Sequence, residues 1–179
     1  MVSEQARRGI DALFSKAVRA NLAVDSGNDQ IEVSASYSSH ADAPGTQLYV
    51  LTIASYLFRL TTVFHVPKDA AIAAYFTRQG EGATLPEVFG EKANLCCGAM
   101  NRELGQHFMH LGMSTPNVLD SACAPFFDEL KANHVTRQRI TINHSLAIDA
   151  TLFLKAYAPI DFRVDAYAAA EETGMLELF

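Results

Sequence analysis

The sequence has few cysteines, a shortage of positive charge and no long apolar run, and each shortage excludes a class of protein. The three cysteines, with Cys96 and Cys97 adjacent, suit a reducing compartment better than a disulfide scaffold. Lys and Arg number 14 against 20 Asp and Glu, and a net charge of −6 argues against binding nucleic acid or an anionic membrane. No apolar run can span a bilayer, and Glu4 stands where a signal peptide would be basic. We therefore predict a cytoplasmic protein with no nucleic-acid partner and no membrane insertion.

The length and composition predict one domain over residues 1–179. A chain of 179 residues that is 49% hydrophobic can bury a sizeable core without disulfides or a structural metal. The pattern of residues 1–30 predicts an N-terminal helix, Ser3–Leu22, which is capped by Ser3 and followed by a turn. The β-branched and aromatic stretch Gln47–Val66 is too long for one typical strand, and we predict two strands divided near Tyr56–Arg59.

The remaining pattern predicts an α+β fold. The longest helical signal is Leu85–His110, with Gly112 as its terminator. The other predicted elements are a helix at Lys68–Arg78, strands at Ile31–Ser38, Val135–His144 and Leu146–Tyr157, a short helix or irregular segment at Cys123–Asn133, and, with less definition, a strand at Phe162–Val164 and a helix at Ala166–Glu172. Because strands and helices do not alternate one by one, we expect an antiparallel β-sheet of about five or six strands with helices packed on one face.

One side of the long predicted helix is polar and contains glycine. At about 100° per residue, this polar strip consists of Glu87, Glu91, Asn94, Gly98, Asn101, Arg102 and Gly105. Glycine inside a helix costs about 1 kcal/mol relative to alanine, and it allows another molecule to approach the backbone closely. Two interpretations follow: a functional surface, or a solvated face whose glycines serve helix packing.

The residues Gly90–Gly98, followed by Ser114–Val118, resemble the CheC/CheX/FliM family of chemotaxis phosphatases and switch proteins. The family motif is Asp or Ser, three residues, Glu, two residues, Asn, then about twenty-two residues to Pro. Glu91 and Asn94 have the motif's separation, and Pro116 follows Asn94 after 21 intervening residues. Glu87 occupies the position of the family's Asp or Ser. The resemblance covers residues 47–158, and its single motif is most similar to a standalone CheX-like protein.

The resemblance implies a phosphatase that hydrolyses the aspartyl phosphate of a CheY-type response regulator. It implies that Asn94 orients the attacking water and that Glu91 pairs with a lysine of the regulator, and we expect Glu87, Gly98, Asn101 and Arg102 to contribute to docking. No cofactor of its own is implied, because Mg²⁺ belongs to the regulator. The alternative is a non-catalytic docking protein of the same fold, comparable to the FliM middle domain.

The resemblance also implies a homodimer, and the sequence supports this prediction independently. The long apolar strands predicted in Gln47–Val66 and Val135–Tyr157 would leave sheet edges with unpaired backbone groups, which often pair with another chain. The alternative is that the N-terminal helix or the C-terminal tail covers the edge and leaves a monomer.

Other candidate residues have simpler interpretations. His107 and His110, three residues apart, could form half of a metal site, but they are better explained as imidazoles near a helix C-terminus, and we predict no metal site. Cys96 falls on the apolar stripe, so we predict that it and Cys97 are buried, unreactive thiols.

Overall fold

A computed structural model describes residues 1–36, 45–80 and 82–164. The helices are α1 (Glu4–Asn21), α2 (Ala70–Thr77) and α3 (Leu85–Leu104), with a 3₁₀ segment at Ser121–Leu130. The strands are β1 (Ile31–Ala35), β2 (Thr46–Ala54), β3 (Phe58–Pro67), β4 (Gly112–Met113), β5 (Asn117–Asp120), β6 (His134–Ile142) and β7 (Leu146–Ala156). None of these described helices is long and apolar enough to cross a membrane.

The strands form one antiparallel sheet, and the α+β prediction is confirmed. The order is β1-β6-β7-β3-β2-β4, with β5 also paired to β2, so the sheet has seven strands. This number exceeds the prediction of five or six because β4 and β5 lie in a stretch that was expected to be a loop around Pro116. Both strands are shorter than a recognisable alternating run, so sequence periodicity could not reveal them.

The division of Gln47–Val66 into two strands is confirmed. β2 and β3 are joined by a tight turn in which the backbone N–H of Ser55 donates to the carbonyl of Phe58 at 2.9 Å. The Ser55 hydroxyl oxygen accepts from the backbone N–H of Leu57 at 3.0 Å, so the serine closes the turn through its side chain as well.

The three α-helices cover one face of the sheet, as predicted. The ring of Phe64 on β3 lies 5.8 Å from that of Phe14 on α1 and 5.7 Å from that of Phe89 on α3, measured between centroids. The 3₁₀ segment packs against the opposite face, where Leu48, Val63 and Phe153 form a second, smaller cluster. The helix Ser3–Leu22 is confirmed as α1, and the Ser3 hydroxyl caps it by accepting from the Ala6 N–H at 3.0 Å.

Asp29 ties three elements together at one end of the sheet. Its carboxylate accepts hydrogen bonds from the Tyr75 hydroxyl at 2.7 Å, from Arg78 at 2.5 Å and from the Asn143 amide at 2.9 Å. The side chain of Asp29 is only 3% exposed. Burial by itself would raise its pKa, but these donors and the backbone N–H of Asp25 outweigh burial and hold the pKa well below its usual range.

Two boundary predictions are wrong, and others fall outside the described residues. Helix α3 ends at Leu104 with Gly105 as its C-cap, so it stops before His107 and His110, and Gly112 belongs to β4 instead of terminating a helix. No strand forms at Phe162–Val164. The predicted helix Ala166–Glu172 and the last residues of the strand Ile31–Ser38 lie outside the described residues.

Most of the long apolar strands lie inside the described sheet and not at its edges. Strands β2, β3 and β7 each have neighbours on both sides, and the outermost strands are the short ones, β1 at one side and β4 with β5 at the other. Among the described residues, β6 pairs with β1 only over Gln138–Ile142, so the first part of this long strand has a neighbour on one side only. The homodimer stays a prediction.

Candidate functional site

The rotation of α3 about its own axis is fixed by Phe89. This ring lies within 4.6 Å of Tyr49, 5.7 Å of Phe64 and 5.0 Å of Phe76, measured between centroids, and is fully buried among them. Because Phe89 faces the sheet, the residues about half a turn away from it must face outward. Glu91, two residues further along, is accordingly exposed.

Glu87 closes the N-terminus of α3. Its Oε2 accepts hydrogen bonds from the Thr84 backbone N–H at 2.9 Å and from the Thr84 hydroxyl at 2.7 Å, as in a capping box. The bond from the Thr84 backbone N–H is the main cause that lowers the pKa of Glu87. The carboxylate expected to contact a partner is thus already bonded within its own helix. The pattern Thr84-x-x-Glu87 is the sequence signal that could have revealed this role.

Glu91 and Asn94 lie one helical turn apart, and the described fold does not use their side chains for internal bonds. Glu91 is exposed and Asn94 is half-buried, and neither side chain forms a hydrogen bond or an ion pair with any other described residue. The Oδ1 atom of Asn94 is buried without a hydrogen-bond partner among those residues. The pair predicted to carry catalysis is therefore not used for holding the described fold together.

Glycines flank Asn94 one turn away on both sides. A Cβ added at Gly90 would meet no atom within 4 Å, and one added at Gly98 would meet only Nη1 of Arg102, at 3.8 Å. The described fold therefore has room for a side chain at both positions and does not need glycine there for its own packing. Because neither glycine has a side chain, the helix surface has a notch centred on Asn94, which we call the Asn94 notch.

Leu95 and Arg102 complete the outward surface of α3. Leu95 is 47% exposed, although it is apolar, whereas Ala93 and Cys97 beside it are buried. Arg102 is exposed, and no described residue forms an ion pair or hydrogen bond with it. An exposed leucine between Glu91 and Arg102 gives this surface an apolar centre with a charge on either side, a feature that sequence periodicity missed.

Asn94 and Asn101 lie on the side of α3 that faces away from α1. The α1 side carries Lys92, which donates to the carbonyl of Ala23, and Glu103, which pairs with Lys16 at 2.7 Å. Residues 94 and 101 are two turns apart on the opposite flank, the side on which α3 contacts β4. Asn101 is half-buried, and its Oδ1, like that of Asn94, is buried without a partner among the described residues.

Pro116 lies in a bulge between β4 and β5. Met113 pairs with Ile53 and Asn117 pairs with Val50, so three residues on this side oppose two on β2. Ser114 still bonds both ways to Thr52, donating its N–H to the Thr52 carbonyl and accepting the Thr52 N–H on its hydroxyl. Proline fits the interrupted ladder because it has no N–H to donate. The motif's proline thus shapes the sheet edge beside the Asn101 flank of α3.

Cys96, Cys97, His107 and His110 do not come together in one site among the described residues. Cys96 and Cys97 are buried as predicted, and burial raises the pKa of each thiol to about 12. His107 and His110 lie beyond the last residue of α3 and are exposed, so they do not share a helix face. His107 still follows the helix C-terminus closely, since its backbone N–H donates to the Leu104 carbonyl at 3.0 Å. Among the described residues, no three His, Cys, Asp or Glu side chains are grouped so that they could hold a metal ion.

No family model matches the sequence, and no match to a curated protein was found. Solved structures do match over most of the chain. A CheX–CheY–BeF3–Mg²⁺ complex from Borrelia burgdorferi aligns with TM-score 0.58 and 11% identity, covering 83% of this chain and 96% of that one. A chemotactic CheC-like protein from Shewanella oneidensis aligns with TM-score 0.55 and 13% identity, over 82% and 97%. The FliM middle domain from Vibrio alginolyticus aligns with TM-score 0.52 and 11% identity, over 83% and 92%.

These likenesses define the class of fold. The chain has the α+β fold of CheC-like and CheX proteins, which is also the fold of FliM middle domains. The likeness expected from the motif in α3 is therefore confirmed at the level of the fold. At this level of identity the comparison does not choose between a phosphatase and a docking protein.

Proposed function

We propose that the protein is a phosphatase that hydrolyses the aspartyl phosphate of a CheY-type response regulator in chemotaxis or two-component signalling. The observation that carries this proposal is the Asn94 notch. An exposed carboxylate and a carboxamide lie one turn apart on α3, make no bond to other described residues, and are flanked by glycines that the fold itself does not require. A surface of this kind suits insertion into the active site of another protein.

The partner is proposed from the fold and from the residues on α3. A structure with this fold was solved as a complex of CheX with CheY, BeF3 and Mg²⁺. Glu91 is free to form a charge-assisted hydrogen bond with a lysine of the regulator, and Leu95 adds apolar contact area next to it. The protein would act beside its regulator in the cytoplasm.

Hydrolysis requires a water molecule placed in line with the bond that breaks. The water oxygen forms a bond to phosphorus, and the aspartyl carboxylate leaves with the electron pair of the P–O bond. An aspartyl phosphate dianion and water thus give an aspartate carboxylate and dihydrogen phosphate. Phosphoryl transfer of this kind depends on positioning and charge stabilisation more than on a new nucleophile. The chain needs no cofactor of its own, since the regulator's Mg²⁺ and lysine neutralise the phosphoryl oxygens.

The proposed role of Asn94 is to hold that water. A carboxamide can accept a hydrogen bond from water through its oxygen and donate one through its NH₂ without adding negative charge near the phosphoryl oxygens. Because Asn94 Oδ1 is buried, the carboxamide must turn about its terminal torsion for the oxygen to face the partner. That torsion is broad and roughly two-fold in asparagine, so the turn is accessible.

The second candidate function is docking without hydrolysis. The same burial of Asn94 Oδ1 favours it, because an amide oxygen that stays buried cannot orient water. Glu91, Leu95 and Arg102 would then form a binding surface only, as in a switch-type protein.

Phosphate release from a panel of purified phosphorylated regulators separates the two functions. The wild-type chain should accelerate release from at least one regulator, and Asn94→Ala should remove the acceleration while it leaves binding intact. Asn21→Ala is a matched control, because Asn21 lies at the end of α1 and its side-chain amide donates to the Ala17 carbonyl of its own helix. Binding without any acceleration by the wild-type chain would establish the docking function instead.

A further inference from the structure

Arg102 lies next to the Asn94 notch, and its positive charge is not paired with any described residue. Other cations near α3 are engaged: Lys92 donates to the Ala23 carbonyl and Lys16 pairs with Glu103. Arg102 is exposed and forms no ion pair or hydrogen bond with a described residue, in a chain whose net charge is −6. The Arg102 guanidinium is therefore available to a partner molecule.

The guanidinium group lies back over Gly98. Its Nη1 atom is 3.8 Å from the place where a Cβ at residue 98 would stand. Helical side chains point toward the helix N-terminus, so the Arg102 side chain extends toward the turn that contains Asn94. Gly98 and Asn94 are separated by about 6 Å along the helix axis. The guanidinium thus borders the notch on the side away from Glu91.

Charge therefore changes sign along α3, with Asn94 in the middle. Glu91 places a negative charge one turn before Asn94, and the Arg102 guanidinium places a positive charge one turn after it. If Glu91 meets the regulator's lysine and Asn94 lies next to the reacting phosphorus, the group that meets Arg102 is anionic. The nearest anion to the reacting phosphorus is its own set of phosphoryl oxygens.

We propose that Arg102 contacts the phosphoryl oxygens of the docked regulator and stabilises their negative charge during hydrolysis. This inference rests on the proposed phosphatase function. A planar guanidinium can donate two parallel hydrogen bonds to phosphoryl oxygens, which a lysine cannot do. In phosphoryl transfer the charge is spread over the three equatorial oxygens in the transition state, so an arginine at that place raises the rate of hydrolysis.

The test compares Arg102→Gln, Arg102→Lys and Asn94→Ala with the wild-type chain in three assays. These are kcat and KM for phosphate release, affinity for a regulator loaded with BeF3 as phosphoryl mimic, and affinity for the unphosphorylated regulator. Arg137→Gln is the matched control, because Arg137 is exposed on β6, and β7 and β3 separate β6 from β2 and β4, the strands that α3 contacts. Circular dichroism verifies that each variant is folded.

We expect Arg102→Gln to lower kcat by about 10²-fold, the scale of removing one positioned polar group at a transition state. Arg102→Lys should recover part of the loss, and affinity should fall for the BeF3-loaded regulator but not for the unphosphorylated one. An unchanged kcat in Arg102→Gln, with activity lost in Asn94→Ala, would overturn the role of Arg102 and leave the proposed function standing. If Arg102→Gln lowers the affinity for the BeF3-loaded and the unphosphorylated regulator equally and leaves kcat unchanged, Arg102 contacts an acidic side chain of the regulator and not the phosphoryl group. That result would also overturn the inference. No acceleration by the wild-type chain would overturn the proposed function, and this inference with it.

Discussion

The carboxylate of Glu87 accepts two hydrogen bonds from Thr84 and so closes the first turn of the helix that carries the candidate site. Glu87 occupies the position where the family motif has Asp or Ser. Its place in the capping box gives this departure a structural role within the chain itself, and it makes the cap and the site separable by mutation.

Replacing Glu87 should therefore affect stability more than activity. We expect Glu87→Ala to lower the Tm and to leave phosphate release from the regulator nearly unchanged. Because its hydrogen bonds to Thr84 lower the pKa of Glu87 in the folded state, the stability it contributes is present above the ordinary glutamate pKa and is lost as pH falls through the folded value. Thermal melts of both proteins between neutral and acidic pH measure this; a Tm difference that grows toward low pH would contradict the role of the cap.

Alanine at Gly98 should stabilise the protein. Its Cβ would meet only the flexible end of Arg102, and alanine in a helix interior is favoured over glycine by about 1 kcal/mol. Gly98→Leu, by contrast, should fill part of the Asn94 notch and weaken binding of the BeF3-loaded regulator. Denaturant unfolding and titration give the two readouts. Gly9→Ala is the contrasting control and should gain less stability than Gly98→Ala, because its Cβ would lie 3.1 Å from the side chains of Phe162 and Val164, which must move to admit it.

Charge reversal at Glu91 should weaken docking. Glu91→Lys replaces attraction to the regulator's lysine with repulsion, so the association rate should fall and the loss should shrink with added salt. Glu4→Lys is a suitable control for the change of net charge, since Glu4 lies on α1 and pairs with Arg8 on its own surface. Titration with the BeF3-loaded regulator at two salt concentrations measures the effect. Equal affinities for the wild-type chain and Glu91→Lys would show that this part of α3 is not the docking surface.

Asp29 should be a determinant of stability at acidic pH. Its pKa is held well below the usual aspartate value in the folded state, so its contribution is complete above that usual value and is lost as pH falls. Asp29→Ala should cost about 2–3 kcal/mol at neutral pH, because it leaves donors on Tyr75, Arg78 and Asn143 without their acceptor. Urea unfolding across a pH series measures it, and a cost that is independent of pH would refute the linkage.

The sequence predicts the parts of this fold that have a clear periodicity. Helix α1, the division of β2 from β3 and the final pair β6–β7 follow directly from their patterns. The short strands β4 and β5 could not be found, because two and four residues carry no periodic signal and their pairing with β2 is a tertiary contact. The end of α3 was placed too late because the apolar spacing continues through Phe108 and Leu111, which pack against the core from outside the helix.

The site could be predicted only where residue type and spacing are decisive. The sequence places Glu91 and Asn94 on one polar strip of α3, and neither side chain bonds to another residue that the structure describes. Leu95 is exposed while its neighbours Ala93 and Cys97 are buried, because the side of α3 that faces the sheet depends on how Phe89 is held. The open space at Gly90 and the position of the Arg102 side chain depend on tertiary packing, which the neighbouring sequence does not determine.

Single-turnover phosphate release by the wild-type chain and by Asn94→Ala is the most direct test of the central claim. A regulator phosphorylated on its aspartate is mixed with each protein at saturating concentration, so that chemistry and not binding limits the rate. The account predicts acceleration by the wild-type chain and a rate about 10²–10³-fold lower for a folded Asn94→Ala variant that binds the regulator as tightly. A variant that releases phosphate as fast as the wild-type chain would contradict the assignment of Asn94 and, with it, the proposed mechanism.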